Sequence, residues 1–224
     1  MALILDGTNT PTLGGVGYGD GTELAFSAAG SAGGVLYSAG GAAPVFSAAG
    51  TAGQVLTSAG ASAPTWAAVP GPTIVAPVAT TSGTTVTFTG IPAGITTLIV
   101  YLNGVTNGAG GYYLTIGTSS GLETSGYLAG NVRLTNNDTI AGTQITSYFP
   151  IAVAGVATNT GSVTLTLSNS TTNSWALSGA IYNAQANATV AVSAGAKSLS
   201  GVLDRVSFVS GNAFTAGQVS IAYK

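Results

Sequence analysis

From Thr73 to the C-terminus, apolar residues alternate with threonine and serine. Val86 and Phe88 are interleaved with Thr85 and Thr87, and Val163, Leu165 and Leu167 with Thr164, Thr166 and Ser168. Trp175 and Leu177 share one parity, as do Val206 and Phe208, and Val219, Ile221 and Tyr223. A period of two with hydroxyls outward predicts half-buried antiparallel strands. Residues 97–102 (TLIVYL) break the alternation, which predicts a central strand covered on both faces. Pro92, Gly94, Asn103-Gly104, Asn107-Gly108 and Asn136-Asn137 punctuate these runs as turn residues do. The pattern yields about ten strands, no helix, and an antiparallel β-sandwich of the jelly-roll kind over residues 73–224.

The preceding segment has a longer period. Residues 27–46 (SAAGSAGGVLYSAGGAAPVF) and 47–66 (SAAGTAGQVLTSAGASAPTW) agree at thirteen of twenty positions without a gap. A weaker relative, GGVGYGDGTELAF, fills residues 14–26, so the closing aromatics Phe26, Phe46 and Trp66 recur every twenty residues. Within a unit, residues 53–58 (GQVLTS) favour an extended run. Gly60 tolerates the positive φ of a turn, and Pro64 presses Ala63 toward extended backbone. One such unit carries one aromatic and two aliphatics, too little to offset the ordering of ~20 residues at about 1–2 kcal/mol each. Three chains side by side would join the layers of Phe26, Val35, Leu36, Phe46, Val55, Leu56 and Trp66 into a shared core. A flexible linker would need neither the fixed period nor the recurring aromatic. Residues 67–72 (AAVPGP) read as a hinge between this stalk and the sandwich.

Composition sharpens the picture. Only 4% of the 224 residues are charged, and neither residues 24–122 nor 139–196 contain a single Asp, Glu, Lys or Arg. A soluble monomer carries charge on roughly a quarter to a third of its surface positions, so this chain is expected to cover much of its surface with other copies. A spanning helix needs ~20 consecutive apolar residues, and the longest run here is Leu98–Leu102. Disorder conflicts with a 46% hydrophobic content. Four cations give no nucleic-acid footprint, and residues 1–6 lack the features of a secretory signal.

Catalytic chemistry is sparsely supplied. The absence of His and Cys removes the common nucleophile–base pairs and metal ligands. The sandwich segment offers three carboxylates, Glu123, Asp138 and Asp204, for the pair a glycosidase needs. Asp204 and Arg205 are adjacent, so within one strand they would point to opposite faces and not pair. The glycines of residues 15–21 (GVGYGDG) lack the Lys-Ser/Thr and helix of a phosphate loop. Asn136-Asn137-Asp138 carries oxygens of the kind calcium takes, but a lone Asp among amides reads as a polar turn. No catalytic residue, metal or cofactor is expected. A neutral sugar site needs an aromatic platform with amides and hydroxyls; Tyr112, Tyr113, Tyr127 and Tyr182 are the candidates, with Trp175 read as core.

Residues 50–66 (GTAGQVLTSAGASAPTW) resemble a repeat found in tail fibres and other virion appendage proteins of tailed bacteriophages. The opening MALILDGTN (1–9) is similar to the start of such proteins, particularly in phages of cyanobacteria. Residues 203–224 (LDRVSFVSGNAFTAGQVSIAYK) resemble the closing strands of jelly-roll modules that end many phage fibres. Residues 73–202 are similar in texture alone. The resemblance implies an intertwined homotrimer located in the virion and made in the bacterial host cytoplasm. Residues 1–26, with Leu3, Ile4 and Leu5, would anchor it to baseplate, tail or capsid proteins; residues 27–66 would form the stalk, and residues 73–224 would meet a host glycan or protein. A tail fibre is the first reading; a capsid decoration or head fibre and a glycan-degrading tail spike are the alternatives. Neither nucleic acid nor membrane insertion is expected.

Overall fold

The computed structural model describes residues 12–21, 24–134, 144–152, 157–184 and 189–224. It is all-β, with no helix among the described residues. The chain divides into two compact units, Met1–Pro70 and Gly71–Lys224.

The first unit is a series of three antiparallel hairpins. They pair β1 (Gly17–Gly19) with β2 (Leu24–Phe26), β3 (Leu36–Tyr37) with β4 (Val45–Phe46), and β5 (Gln54–Ala59) with β6 (Ser62–Ala68). The twenty-residue period appears directly in the register, because Leu36 pairs with Phe46 and Leu56 with Trp66. The hydroxyl of Ser27 accepts the Val16 N–H, and that of Ser47 accepts the Val35 N–H, both at 3.0 Å. In the third hairpin Ala67 holds the equivalent position and joins the ladder opposite Val55. Strand β6 therefore runs through Ala67 and Ala68, into the segment read as hinge. Gly60 turns the hairpin with φ of 69°.

Phe46 and Trp66 each reach back to the start of their own repeat. A Cβ on Gly30 would lie 2.7 Å from the Phe46 ring, and one on Gly50 would lie 2.6 Å from the Trp66 ring. Glycine is the residue that admits this approach. Trp66 Nε1 also donates to the Ala48 carbonyl at 2.8 Å, a tie that phenylalanine cannot make. Despite this order, Ser27 is the one buried side chain among the described residues of this unit. Phe26, Val35, Phe46 and Trp66 are half-buried, while Leu36, Val45, Val55 and Leu56 are exposed to between 39% and 41%.

The second unit is a β-sandwich. Its strands are β7 (Thr73–Ile74), β8 (Val78–Ala79), β9 (Thr85–Phe88), β10 (Thr97–Asn107), β11 (Tyr112–Thr118), β12 (Gly121–Leu122), β13 (Tyr127–Leu134), β14 (Phe149–Ala152), β15 (Asn159–Asn169), β16 (Ser174–Asn183), β17 (Thr189–Ser198), β18 (Arg205–Ser210) and β19 (Phe214–Tyr223). Short edge pieces such as β7, β8 and β12 raise the count above the ten that the pattern suggested. The large sheet has the order β13-β17-β16-β15-β10-β19-β7, with β8 also on β19. The small sheet runs β12-β11-β18-β9, with β14 also on β11. All pairings are antiparallel. Between the sheets lies one core that includes Leu98, Val100, Leu114, Ile116, Phe149, Leu165, Trp175, Phe208 and Ile221. The stacked rings of Tyr112, Phe208 and Phe214 fill one part of it.

Strand β10 corrects the reading of TLIVYL. It is central in the sheet, but among the described residues only one of its faces is fully covered: Leu98, Val100 and Leu102 are buried, whereas Ile99 is half-buried and Tyr101 exposed. The unbroken apolar run does not mean that both faces have intramolecular cover. Around it, the outward residues of the large sheet form straight cross-strand rows. One runs Val132, Val192, Ala180, Ser162, Tyr101, Ser220, and the next Gly130, Ala194, Ser178, Thr164, Ile99, Ala222. Rows through Leu128 and Leu134 flank them.

Strand β7 pairs with Ala222 and Tyr223, which stand beside Ile99 and Leu98. The chain thus joins the sandwich at the end that also holds the turns 118–121, 169–174 and 199–204. The links 108–111 and 211–213 lie at the opposite, far end.

Candidate functional site

The four tyrosines singled out from sequence divide evenly. Tyr112 is 1% exposed and Tyr127 is 0% exposed, so both are core residues and neither is a binding platform. Their parity places them inward on β11 and β13, and burial pushes both phenols up to about 12. Tyr127 also ties a strand to the following loop, since its hydroxyl accepts the Ile116 N–H at 2.9 Å and donates to the Glu123 carbonyl at 2.8 Å. Trp175 is buried at 2% exposure, as the core reading expects. Tyr113 and Tyr182 face outward. Tyr113 lies on the outer side of the small sheet, its ring 4.3 Å from that of Tyr148. Tyr182, 46% exposed, lies on the outer side of the large sheet beside Thr160 and Val190. The structure does not bring Tyr113 and Tyr182 together. Sequence reasoning missed Tyr101, which is exposed on the same outer face as Tyr182; its place in an apolar run hid it.

Charge is confined. Of the six charged residues described in the sandwich, Glu123, Lys197, Asp204, Arg205 and Lys224 lie at the near end, and Arg133 is the exception. Lys197 is 6% exposed and forms an ion pair with Glu123. It also donates to the Ser198 carbonyl at 2.5 Å, and stands 5.7 Å from the Tyr127 ring centre. The other Glu123 oxygen accepts Ser200 N–H at 2.8 Å and Ser200 Oγ at 2.7 Å. Burial pushes the Glu123 carboxyl up, but the bonds from Lys197 and Ser200 outweigh it and hold its pKa below the usual value. The pair was legible in one respect: Lys197 shares the inward parity of Ala191 and Ser193, and an inward lysine requires an acid.

Asp204 and Arg205 do pair, contrary to expectation. Asp204 sits in the loop before β18, so strand alternation does not separate them, and Arg205 Nη2 comes within 2.8 Å of Asp204 Oδ1. Arg205 Nη2 also donates to the Ser119 carbonyl at 3.0 Å, pinning the 118–121 turn. Both described carboxylates of the sandwich are therefore engaged in holding loops. A shallow cleft of about 490 Å³ lies beside Asp204, lined by Thr118, Ser119, Ser120 and Ser200. Among the described residues no group of three or more Asp, Glu, His or Cys gathers as a metal site would. Asn136, Asn137 and Asp138, and the anchor residues Leu3, Ile4 and Leu5, lie outside the described residues.

The far end is built from amides. Asn107 Nδ2 donates to Gly110 O at 2.8 Å and to Ser210 Oγ, tying two links together. Asn159 Nδ2 donates to Ala157 O, and Asn183 Nδ2 to Asn159 Oδ1. Compared with known proteins, the chain matches no family model, no curated protein and no solved structure.

Proposed function

We propose that the protein is a non-enzymatic, homotrimeric fibre subunit of a tailed-phage virion. Its N-terminal segment would attach to other virion proteins, and its C-terminal head would meet the host surface. The observation that carries this reading is the first unit. Three regular hairpins recur, two of them with their aromatic seated on a glycine, yet no apolar side chain among their described residues is buried. Such order without a core needs neighbouring chains to supply one. Sedimentation and native mass measurement of the purified full chain test it; a stable monomer at micromolar concentration would defeat it.

Two further observations support the finer parts. In the second unit β9, β10 and β11, and again β18 and β19, alternate between the two sheets as jelly-roll strands do, while β15, β16 and β17 follow one another within the large sheet. Within the second unit, the outward Tyr182 and the amides of Asn107, Asn159 and Asn183 gather at the end away from most of its charges, and Tyr182 is the exposed aromatic there for a neutral surface ligand. Adsorption of labelled full-length protein to host cells should be saturable. Immunogold labelling should place the chain on a tail appendage; label over the capsid would favour the head-fibre alternative.

A further inference from the structure

We propose that the outer face of the large sheet is covered by a second copy of this chain. This rests on the homo-oligomer reading and deepens it by naming the surface. The outward residues of β13, β17, β16, β15, β10 and β19 include no Asp, Glu, Lys or Arg, and the one charge on their rows, Lys224, stands just beyond β19 at the edge, paired with Thr97. A solvated sheet face of that size carries several charges, whereas the centre of a protein interface is depleted of them and enriched in tyrosine. Tyr101 and Tyr182 are both exposed here, as are Leu128, Leu134 and Val192. Strand β10 adds an independent point. Its unbroken apolar run is the pattern of a strand covered on both faces, yet its outer face is only partly covered, with Ile99 half-buried and Tyr101 exposed.

The size fits a protein partner. Six strands about 4.8 Å apart and four outward rows about 6.8 Å apart span roughly 29 by 27 Å, or about 800 Å². That is about what one partner contributes to a standard interface. A small ligand would need a concave site that encloses it; the hollow of about 400 Å³ that Gly130, Val132, Val192 and Ala194 help to line is shallow and takes up only one edge of the face. A second copy is the partner that the exposed aliphatics of the stalk also require, and once the stalk joins the chains it holds the heads at high effective concentration.

The chain has no cysteine, so single thiols report cleanly. Ser178→Cys places a near-isosteric thiol at the centre of the face, and Ala194→Cys is a second probe on the neighbouring strand. Ser120→Cys, in the exposed near-end turn, is the control. Purified full-length variants are treated with a maleimide, with native mass recorded in parallel. In the oligomer, both face thiols should react at least tenfold more slowly than Cys at 120. Dilution that dissociates the oligomer should abolish the protection. An oligomer whose face thiols react as fast as the control would overturn the proposal and leave the homo-oligomer reading intact. Protection that persists in a dissociated monomer would also overturn it, because the cover would then come from the same chain. A chain that is monomeric at every concentration would defeat the underlying reading itself.

Discussion

The two units use the same few residue types in opposite ways. In the second unit, proposed as the head, Leu98, Val163, Leu165, Phe149 and Phe208 are sealed between two sheets supplied by one chain. In the first unit, proposed as the stalk, Leu36, Val45, Val55 and Leu56 recur with equal regularity and remain exposed. The difference is geometric. A two-stranded hairpin has one partner strand and no facing layer, so alternation alone cannot bury its apolar side. The second unit folds thirteen described strands into two sheets that enclose a core within one chain. Regular sequence therefore guarantees regular backbone in both places, but an interior in only one.

The largest test of that contrast lies in the head. Phe208→Ala empties a buried stacked site and should cost about 3–5 kcal/mol, read as a lowered head transition in thermal denaturation. An effect below about 1 kcal/mol would mean that the sheets are not closed over that site.

The next lies at the Lys197–Glu123 pair. Lys197→Met leaves a partly buried carboxylate without its cation and should cost on the order of 2–4 kcal/mol, whereas adding Glu123→Leu should recover most of the loss. The pH dependence has a definite sign. The folded pKa of Glu123 lies below its ordinary value, so its contribution is complete above the unfolded pKa and is lost as pH falls through the depressed folded value. Wild-type protein should lose head stability under such acid conditions, and the double variant should lose less.

In the stalk, Gly50→Ala brings a methyl group to 2.6 Å from the Trp66 ring, and the resulting overpacking should cost about 1–3 kcal/mol. Gly71→Ala meets nothing within 4 Å and serves as the control. If Gly50→Ala leaves the thermal transition of this unit and the oligomer mass unchanged, the aromatic is not seated on the glycine near the start of its own repeat. The smallest effect belongs to Ser47→Ala, which removes the acceptor for Val35 N–H and should cost about 1 kcal/mol per chain. Hydrogen exchange at the Val35 amide should accelerate while that at Val16, held by Ser27, stays unchanged.

Much of this was legible in the chain. The twenty-residue period located the hairpins, and alternation gave the inward faces of β15, β16, β18 and β19, because side chains on a strand change sides at every residue. Parity alone would also have warned against Tyr112 and Tyr127, since Leu114 and Ile116 share the face of one and Ala129 that of the other. Tyr182 escaped burial because Ile181 and Asn183 take the inward positions of β16.

What the sequence determined by itself was local: extended backbone, turn positions, parity, and a surface almost without charge. Only the tertiary structure decided which outward face stays open, that Asp204 leaves the strand and so meets Arg205, and that Glu123 lies beside Lys197 from 74 residues away. Those outcomes depend on how sheets cross and loops return, which no periodicity encodes. The open face of β10 belongs to the same class, because a run of apolar residues shows that cover is needed and not which chain provides it.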